Sequence, residues 1–378
     1  MNEWKEYRID ELGKLGRGKS KHRPRNDASL FDGEYPFVQT GDIKAANFFI
    51  NNYSQTYTEK GLAQSKLWKK GTLCITIAAN IGETAILGMD ACFPDSIIGF
   101  VPYENVSDVR FVKYLFDLLK IYFQSISQGT TQDNLSQEKL LTIKFKAPNF
   151  QTQQKIANIL GTYDELIEVN NERIKILEET AQSLYKEWFV RFRFPSYQNT
   201  EFIKGVPRGW EVIKFRDFVK LNRGFDLPND KIIEGEFPVI ASTSIKAFHN
   251  EYKSSGEGVI TGRSGSLGAV QYINGKYWTL NTALYVKDFK GNFPKYVYYF
   301  LQEMHLENFD SGAGVPTLNQ NHLHGLSFPL PPINLQKKFN EVISPMFTQI
   351  ETLQNQNTEL RQIRDRLLPR LISGKLIV

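Results

Sequence analysis

A phosphate-binding loop is the first chemistry that the residue spacing suggests. Gly13–Ser20 matches the pattern G-x-x-x-x-G-K-[ST], in which backbone amides cradle the phosphates of a nucleotide and a lysine contacts them. That pattern requires an apolar strand before it and a helix after it. Arg8–Leu12 precedes it and Lys21–Pro24 follows it, and the related segment Val219–Asp226 lacks both the lysine and the serine. Nucleotide hydrolysis at this loop is kept as an alternative function.

Metal, nucleophile and methyl-transfer chemistry find less support. His322 and His324 have no third ligand nearby in the sequence, and Cys74 and Cys92 are too few for a four-thiolate zinc site or a disulfide framework. The chain has no Asn-Pro-Pro-aromatic methyltransferase motif and no convincing set of nuclease carboxylates. Spacing alone does not exclude a Ser-His-Asp arrangement, but nothing positive indicates one. We therefore expect no metal site and no cofactor on this chain.

Length and composition indicate a folded protein of two or three domains. The chain has 378 residues, of which 41% are hydrophobic and 23% charged, with a formal net charge of +5. This mild excess of positive charge permits a nucleic-acid partner without requiring one. The N-terminus lacks the pattern of a signal peptide, and no apolar run approaches the ~18 residues of a membrane helix. We expect a cytoplasmic protein with no membrane segment.

An internal repeat organises the chain. Trp4–Ile9 resembles Trp210–Phe215, and Phe111–Tyr114 resembles Phe293–Tyr296. The offset between matching residues is 206 at the start and 183 from Gly129 onward, so loops differ in length while strands and helices persist. A period of about 190 residues is far too long for a solenoid repeat. The sequence therefore predicts two copies of one domain.

Each copy combines a sheet with a helical tail. Short β-branched and aromatic runs such as Gly71–Ile77 are typical of strands, and Asp108–Phe123 is an amphipathic helix candidate. We predict an α+β fold of two tandem, pseudo-symmetric β-rich domains, each followed by a long helix. The expected segments are a first domain at 1–150, a helix at 151–193, a linker and second domain at 194–332, and a second helix at 333–378. The linker itself is expected at Arg193–Trp210.

Both long helices carry the a/d pattern of a coiled coil, with apolar residues at alternating steps of three and four. The first seam consists of Tyr163, Ile167, Asn170, Ile174, Leu177, Ala181, Leu184 and Trp188. The second consists of Met346, Ile350, Leu353, Asn357, Leu360, Arg364 and Leu367. Thr162 with Glu165 predicts a capping box, and Ser344-Pro345 predicts a helix start. We therefore expect a short helix to break into a long one at both points.

The two asparagines select a register for these helices. An antiparallel arrangement with Asn170 opposite Asn357 also pairs Ile167 with Leu360, Ile174 with Leu353, Leu177 with Ile350 and Ala181 with Met346. An unpaired buried amide costs about 1–3 kcal/mol, so this register is favoured over its neighbours. We predict an antiparallel coiled coil. The alternative is two unrelated amphipathic helices, each packed on its own domain.

The chain resembles the specificity subunits of type I restriction-modification systems. Four motifs carry the resemblance: Pro207–Trp210 opening the second copy, Gln153–Ile156 starting the first helix, Ser183–Phe192 ending it, and Leu367–Gly374 near the C-terminus. The resemblance covers essentially the whole chain and is strongest in the helices. It departs at the N-terminus, where no Pro-x-Gly-Trp precedes Trp4–Tyr7.

The resemblance implies a DNA-reading subunit without catalysis of its own. Each β-rich domain would be a target recognition domain for one half of a bipartite double-stranded DNA site. The helix pair would fix the gap between the halves and dock two methyltransferase subunits, which would bind S-adenosylmethionine, and restriction motor-nuclease subunits would join them. Because Thr40–Asp42 differs from Ser242–Ser244, and Thr131–Asp133 from Gly314–Pro316, the target should be asymmetric.

Two groups of residues are candidate DNA contacts. The first is a basic run, and its members are Arg17, Lys19, Lys21, His22, Arg23 and Arg25, with Arg223 repeating Arg17 in the second copy. Cationic side chains neutralise phosphates, which dominates affinity for DNA. A solvated charged loop explains the same residues.

The second group lies in Gly-rich segments and near the strands. It comprises Thr130, Thr131, Gln132 and Asn134 in the first copy, Arg263, Ser264, Thr317, Asn319 and Gln320 in the second, and the matching lysines Lys44 and Lys246. Side chains of these polar types read base edges or bind phosphates, although ordinary turn chemistry explains them equally well. Three functions are weighed: a sequence-specific DNA-binding adaptor, a nucleotide hydrolase, and a scaffold whose β-rich domains bind something other than DNA.

Overall fold

The computed structural model describes residues 4–78, 80–127, 135–312 and 314–378. Contacts between residues divide the chain into two compact units. Unit 1 consists of Met1–Arg173 and Thr352–Val378, and unit 2 consists of Ile174–Glu351. Each unit therefore contains one β-rich domain together with a part of each long helix.

Among the described residues of unit 1, eleven strands and six α-helices begin. The strands are β1 (Lys5–Arg8), β2 (Gly13–Arg17), β3 (Phe31–Phe37), β4 (Phe49–Ile50), β5 (Gln55–Tyr57), β6 (Leu67–Trp68), β7 (Leu73–Thr76), β8 (Thr84–Leu87), β9 (Ala91–Cys92), β10 (Ile97–Pro102) and β11 (Lys144–Ala147). The helices are α1 (Ile9–Leu12), α2 (Thr40–Ala45), α3 (Glu59–Ala63), α4 (Val109–Ser127), α5 (Gln137–Thr142) and α6 (Phe150–Tyr185), the last of which continues into unit 2.

The main sheet of unit 1 has the strand order β2-β10-β7-β8-β4, and a second sheet has the order β5-β3-β9-β6. Leu73–Thr76 is buried along its whole length, which explains why this run is continuously apolar rather than alternating. Helix α4 packs Phe111, Phe116 and Phe123 into the same core, while Ile121 on its other face is 80% exposed. The core of unit 1 thus lies between α4 and the main sheet.

Unit 2 repeats this plan. Its strands are β12 (Phe202–Ile203), β13 (Val206–Pro207), β14 (Glu211–Lys214), β15 (Lys220–Arg223), β16 (Phe237–Ile240), β17 (Ile245–His249), β18 (Ser254–Gly262), β19 (Val270–Thr279), β20 (Ala283–Asp288) and β21 (Ser327–Leu330). Its helices are α7 (Phe215–Phe218), α8 (Pro294–Glu303), α9 (Gln320–His324) and α10 (Ile333–Ile372), the last of which continues into unit 1. The main sheet has the order β15-β20-β18-β19-β16-β17.

Matching elements of the two copies make matching pairs. Strand β2 pairs antiparallel with β10, as β15 does with β20, and β1 pairs with β11 as β14 does with β21. The first and last strands of each copy therefore meet. The structure confirms the predicted α+β fold of two related β-rich domains, each followed by a long helix.

Both long helices are continuous, so the predicted helix breaks are wrong. Thr162 lies inside α6, where its hydroxyl donates to the carbonyl of Asn158 at 2.9 Å instead of capping a new helix. Pro345 lies inside α10, between Ile343 in the apolar core and partly buried Met346. Apolar residues before and after Thr162 and Pro345 are buried, so packing favours a continuous helix at both places. This packing outweighs the capping preference of Thr162 and the backbone hydrogen bond that Pro345 cannot donate.

The helix parts in unit 1 run antiparallel in the predicted register. The side-chain amide of Asn170 donates to Oδ1 of Asn357 at 2.9 Å, and Asn357 donates in turn to Oδ1 of Asn171 at 2.9 Å. Six residues nearer the domain, Asp164 accepts from Nη1 of Arg364. Both asparagines are buried, so their mutual hydrogen bond satisfies polar groups that would otherwise oppose helix packing.

The helix parts in unit 2 are joined by aromatic packing. The α-helix ends at Tyr185 and continues as a π-helical turn over Lys186–Val190. Phe339 of α10 is fully buried, with its ring centroid 5.0 Å from that of Phe189 and 5.8 Å from that of Trp188. The π-helical turn therefore places Trp188 and Phe189 in one aromatic cluster with Phe339.

The predicted linker is more ordered than its composition suggests. Phe202–Ile203 and Val206–Pro207 form a two-stranded hairpin, and Phe194 and Trp210 pack on the core of unit 2. Glycine and proline therefore mark turns within a packed segment here, not a free connection. Within the described residues, no helix combines the length and apolar character that crossing a membrane requires.

Candidate DNA interface

The basic run of unit 1 forms a loop that is fastened to the turn before β10. The guanidinium Nε of Arg17 donates to the carbonyl of Asp95, and Arg25 forms an ion pair with the Asp95 carboxylate at 2.9 Å. Two of the predicted cations therefore bind a residue that lies 70 and 78 positions further along the chain. Their first role is to hold the loop in place.

The middle of this loop is held by its own hydrogen bonds. His22 Nε2 lies 2.7 Å from Asp27, and Arg23 donates to the carbonyls of Ser20 and His22 at 2.7 and 2.8 Å. Hydrogen bonds from Ser29, together with the one from His22, lower the pKa of Asp27 well below its usual range, so that it stays charged. Arg23 therefore supports the loop from within.

Lys19 and Lys21 behave differently from the arginines. Both are exposed, and neither side chain has a hydrogen-bond or ion-pair partner among the residues that the structure describes. They are the members of the predicted basic run whose charges remain available to an external anion.

A polar cleft of about 580 Å³ opens beside the basic loop. Its walls include stacked Phe37 and Tyr57, whose ring centroids are 4.0 Å apart, together with Arg25. The side-chain amide of Gln39 donates to Oε1 of Gln55 at 2.5 Å at the same place. Sequence reasoning missed both glutamines, because they belong to no motif and become neighbours only when β3 pairs with β5.

Asn80 contacts both helix α2 and the end of strand β7 in unit 1. Lys44 of α2 lies 3.4 Å from Oδ1 of Asn80, and the Thr76 hydroxyl donates to the Asn80 carbonyl at 2.5 Å. The backbone amide of Leu135 donates to the carbonyl of Ile77 at 3.0 Å. Leu135 therefore lies beside the end of β7, which leads towards Asn80. The candidates Thr130, Thr131, Gln132 and Asn134 lie outside the described residues.

In unit 2, two of the predicted segments meet directly. Ser264 and Thr317 form an isolated antiparallel β-bridge, and the amide of Leu318 donates to the carbonyl of Arg263 at 2.8 Å. The Arg263 guanidinium donates to the carbonyl of Asn281 at 2.9 Å. The structure therefore brings together Arg263, Ser264 and Thr317, which the sequence separates by about 50 residues.

A third loop completes this arrangement. The hydroxyl of Ser242, in the turn between β16 and β17, lies 3.0 Å from the carbonyl of Ser264 and 2.8 Å from that of Thr282. Ser242 occupies the position of Thr40 in the repeat. Sequence reasoning marked this turn as a difference between the copies, but it did not include Ser242 among the contacts.

Several polar residues of unit 2 perform turn chemistry. Asp310 accepts from the amides of Gly312 and Thr317, both at 2.8 Å, and these backbone hydrogen bonds lower its pKa. Asn319 caps α9 by accepting from the amide of Asn321 at 3.0 Å. By contrast, Oε1 of Gln320 is buried without a partner in the described part of the chain.

Arg223 and Lys246 lie at different places in unit 2. Arg223 ends β15 opposite Leu284, on the same sheet end as Arg263, and it is exposed. Lys246 in β17 donates to Oδ1 of Asn229 at 2.6 Å, so part of its hydrogen-bonding capacity is used internally. Arg223 is therefore the better placed of the two to act together with Arg263.

The nucleotide-loop alternative has the wrong local structure. Gly13–Arg17 is strand β2, and an irregular loop follows it where the motif needs a helix N-terminus. His322 and His324 lie in the short helix α9. Among the described residues, no three His, Cys, Asp or Glu side chains are grouped as a metal site would need.

Comparison with known proteins identifies the family. Residues 1–179 and 207–362 match the model of the type I restriction modification DNA specificity domain. The type I restriction enzyme MjaIX specificity subunit of Methanocaldococcus jannaschii is 26% identical, in an alignment that spans 100% of this chain and 94% of the relative. The EcoprrI specificity subunit of Escherichia coli is 20% identical over 93% of this chain and 90% of its own length.

A solved structure shares the fold. The S subunit of a type I restriction-modification system from M. genitalium aligns over 98% of this chain and 96% of its own, with a TM-score of 0.62 and 17% sequence identity. Two copies of the family's domain, matched in sequence and in fold, account for nearly the whole chain. The chain therefore belongs to the type I restriction-modification DNA specificity family, and it is a specificity subunit rather than an enzyme.

Proposed function

We propose that this subunit binds an asymmetric, bipartite site on double-stranded DNA, with each unit reading one half. The observation that carries the proposal is that each unit joins the same loops from its copy of the repeat. In the repeat, Asn80–Gly82 matches Ser266–Gly268, and Thr40–Asp42 matches Ser242–Ser244. In unit 1, Lys44 of α2 contacts Asn80, and in unit 2 the Ser242 turn contacts Ser264, two residues before the matching segment. Equivalent surfaces with different side chains are suited to reading two different half-sites.

The side chains at these loops have the chemistry that base and phosphate recognition needs. Gln39 and Gln55 in unit 1, and Gln320 in unit 2, carry amides of the kind that pair with adenine in the major groove. Arg223 and Arg263 in unit 2 can contact guanine or phosphate. In the proposed complex these polar groups specify sequence, while neighbouring cations supply affinity that does not depend on sequence.

The proposal extends to the partners. The helix pair would set the gap between half-sites and dock two methyltransferase subunits, through which restriction motor-nuclease subunits join. S-adenosylmethionine would be held by the methyltransferase subunits, with none of the chemistry on this chain. The antiparallel register of the helices supports such a spacer, because hydrogen-bonded asparagines oppose slippage of one helix along the other.

Selection from a pool of random duplexes, with the methyltransferase subunit present, tests this function. We expect an enriched motif of two unlike halves at a fixed gap. Replacing Ser242–Ser244 by the Thr-Gly-Asp of the first copy should change one half and leave the other unchanged. Enrichment of a single undivided motif, or a change in both halves, would contradict the proposal.

The spacer role has its own test. Deleting residues 171–177 from α6 and 350–356 from α10 removes one heptad from each helix and keeps Asn170 opposite Asn357. The helices would shorten by about 10 Å. That length corresponds to about three base pairs of duplex, so the selected gap should shorten while both halves stay readable. A folded deletion variant that selects the original gap would exclude the spacer role.

A further inference from the structure

Unit 1 carries an uncompensated group of lysines that includes Lys19 and Lys21 of the basic loop and extends beyond that loop. Lys14, Lys19, Lys21 and Lys66, here called the lysine patch, are all exposed. In the described part of the chain, none of the four forms an ion pair with a carboxylate. Other lysines of the same unit do so: Lys69 lies 2.7 Å from Asp90, Lys120 lies 2.8 Å from Glu83, Lys60 lies 3.7 Å from Asp27 and Lys144 lies 3.8 Å from Glu6.

Trp68 provides the floor of the lysine patch. Gly16 of β2 and Gly99 of β10 face each other in the sheet, and a Cβ atom on either would lie 2.7 Å from the Trp68 ring. Their lack of side chains therefore lets the indole lie against the sheet. The Lys66 ammonium lies 3.3 Å from the centroid of the Trp68 ring, a cation–π contact that holds it at this place.

The remaining three lysines are brought to the same place by the backbone. Lys14 is two residues before Gly16 on β2, so it lies on the same face of the sheet as that glycine. The Ser65 hydroxyl donates to the carbonyl of Lys19 at 2.8 Å. Oε1 of Gln64 accepts from the amide of Lys21 at 2.6 Å, which fixes the loop beside the segment that contains Lys66.

Lys14 and Lys19 are close enough to Lys66 for their charges to disfavour its own. Burial of its stem lowers the pKa of Lys66, and the positive charges of Lys14 and Lys19 lower it further. Like charges gathered without counter-charges oppose folding, and a bound anion would relieve that repulsion. The patch is therefore organised by contacts that fix its position, while its charge remains unsatisfied.

We infer that the lysine patch binds phosphate groups of the DNA backbone next to the half-site of unit 1. The inference rests on the proposed function and adds the surface by which unit 1 gains affinity without reading sequence. Duplex DNA is favoured over an acidic protein surface for two reasons. Lysine is depleted in protein–protein interfaces, and the patch continues from the basic loop that borders the polar cleft.

Salt dependence of binding separates this role from a general effect of charge. The variant K14Q/K19Q/K21Q/K66Q removes the patch, and K60Q/K69Q/K120Q/K144Q removes four paired lysines of the same unit with the same loss of net charge. Each would be assembled with the methyltransferase subunit and titrated by fluorescence anisotropy. The duplexes would carry either the selected site or a scrambled one, at several salt concentrations.

Each backbone phosphate neutralised contributes about 0.9 to the slope of log affinity against log salt. Removing the patch should therefore reduce that slope by about 3 to 4 on both duplexes, and it should leave the preference for the selected site unchanged. The paired-lysine control should change the slope by less than about 1. Equal changes in the two variants would overturn the inference, because net charge alone would then explain them.

The remaining outcomes are distinguishable. An unchanged slope in the patch variant, with the selected two-part motif retained, would overturn the patch while leaving the proposed function intact. Loss of methyltransferase from the purified patch variant, with DNA binding preserved, would overturn it in favour of a protein-docking surface. Absence of any duplex affinity in the wild-type complex would overturn the proposed function together with the inference. Circular dichroism of both variants verifies that each is folded before it is titrated.

Discussion

The two units hold their parts of the helix pair by different chemistry. In unit 1, buried Asp164 accepts from Arg364 and, at 2.5 Å, from the hydroxyl of Tyr114 on α4. At the offset of 183 residues that relates the copies, Asp164 corresponds to Phe347 and Arg364 to Ala181. The ionic group of unit 1 is thus replaced by apolar packing in unit 2, where Ala181 and Phe347 belong to the aromatic cluster.

Burial and the charge of Asp164 set the protonation of Tyr114 and Arg364 in unit 1. Burial, followed by the charge of Asp164, raises the pKa of Tyr114, so its hydroxyl stays protonated and donates. Burial works to lower the pKa of Arg364, but Asp164 outweighs it and that pKa is raised. Buried ion pairs contribute little net stability but are costly to break. This difference predicts that unit 1 is selective for the helix segment that it accepts, whereas unit 2 depends mainly on packing.

The largest expected effect comes from removing one member of the ionic group. Arg364→Met leaves the Asp164 carboxylate buried and without its cation, which should cost about 3–5 kcal/mol of unfolding free energy. The triple variant D164L/R364M/Y114F removes the whole group and should recover most of that loss. Denaturant unfolding, with hydrogen exchange of α4 as the local measurement, gives both values. If the single variant were as stable as the triple, the ionic group would have no selective role.

A smaller loss is expected at the asparagine pair. Asn357→Leu removes the partner of buried Asn170 and of partly buried Asn171, and the unsatisfied Asn170 amide should cost about 1–3 kcal/mol. Gln354→Leu, an exposed position on the same helix, serves as the control and should leave the midpoint of denaturation nearly unchanged. Equal midpoints for the two variants would mean that the amide pair does not set the register.

The aromatic seam of unit 2 should tolerate a conservative change better. Phe339→Leu keeps an apolar side chain but loses ring contacts with Phe189 and Tyr185, which should cost about 0.5–1.5 kcal/mol beyond the lost area. Hydrogen exchange of α8 measures the loss, and Val342→Leu at an exposed position is the matched control. A loss as large as that for Arg364→Met would remove the proposed contrast between the units.

The smallest expected effect is a pH dependence in unit 2. Burial works to raise the pKa of Glu257, but hydrogen bonds from Lys295 and Tyr272, each at 2.5 Å, outweigh it and the pKa is lowered. A lowered folded-state pKa gives stability that is present above the unfolded pKa of about 4.3 and is lost as pH falls further. Unfolding midpoints measured below that pH should therefore decline less steeply in Glu257→Gln than in the wild type. Parallel curves would show that this pair does not couple folding to pH.

Local patterns predicted much of the fold. The heptad steps and the two asparagines predicted the antiparallel register, and the repeat predicted the matching domains. The Asp164–Arg364 pair was missed because Asp164 lies one position off the a/d seam, next to Tyr163. The third member of this group, Tyr114, lies on helix α4, outside the two long helices. A seam pattern describes only the two helices, so it gives no information about what else packs on them.

The candidate interface was predictable in composition but not in detail. The basic run was visible in the sequence, yet its arginines are bound to Asp95 and to nearby carbonyls, while Lys19 and Lys21 remain available. Lys14 and Lys66 were not candidates, because about 50 residues separate them in the sequence and they become neighbours only around Trp68. Adjacent charges in a sequence therefore do not show which charge faces outward.

The sequence by itself determined the duplication, the helical seams with their register, and the family. These features follow from periodicity and self-similarity, which residues express through their spacing along the chain. Tertiary structure alone decided which cations are neutralised internally, that the long helices continue through Thr162 and Pro345, and which loops meet at each end of the sheets. Those outcomes depend on partners far away in the chain, and pairing between distant groups is set by how the elements pack.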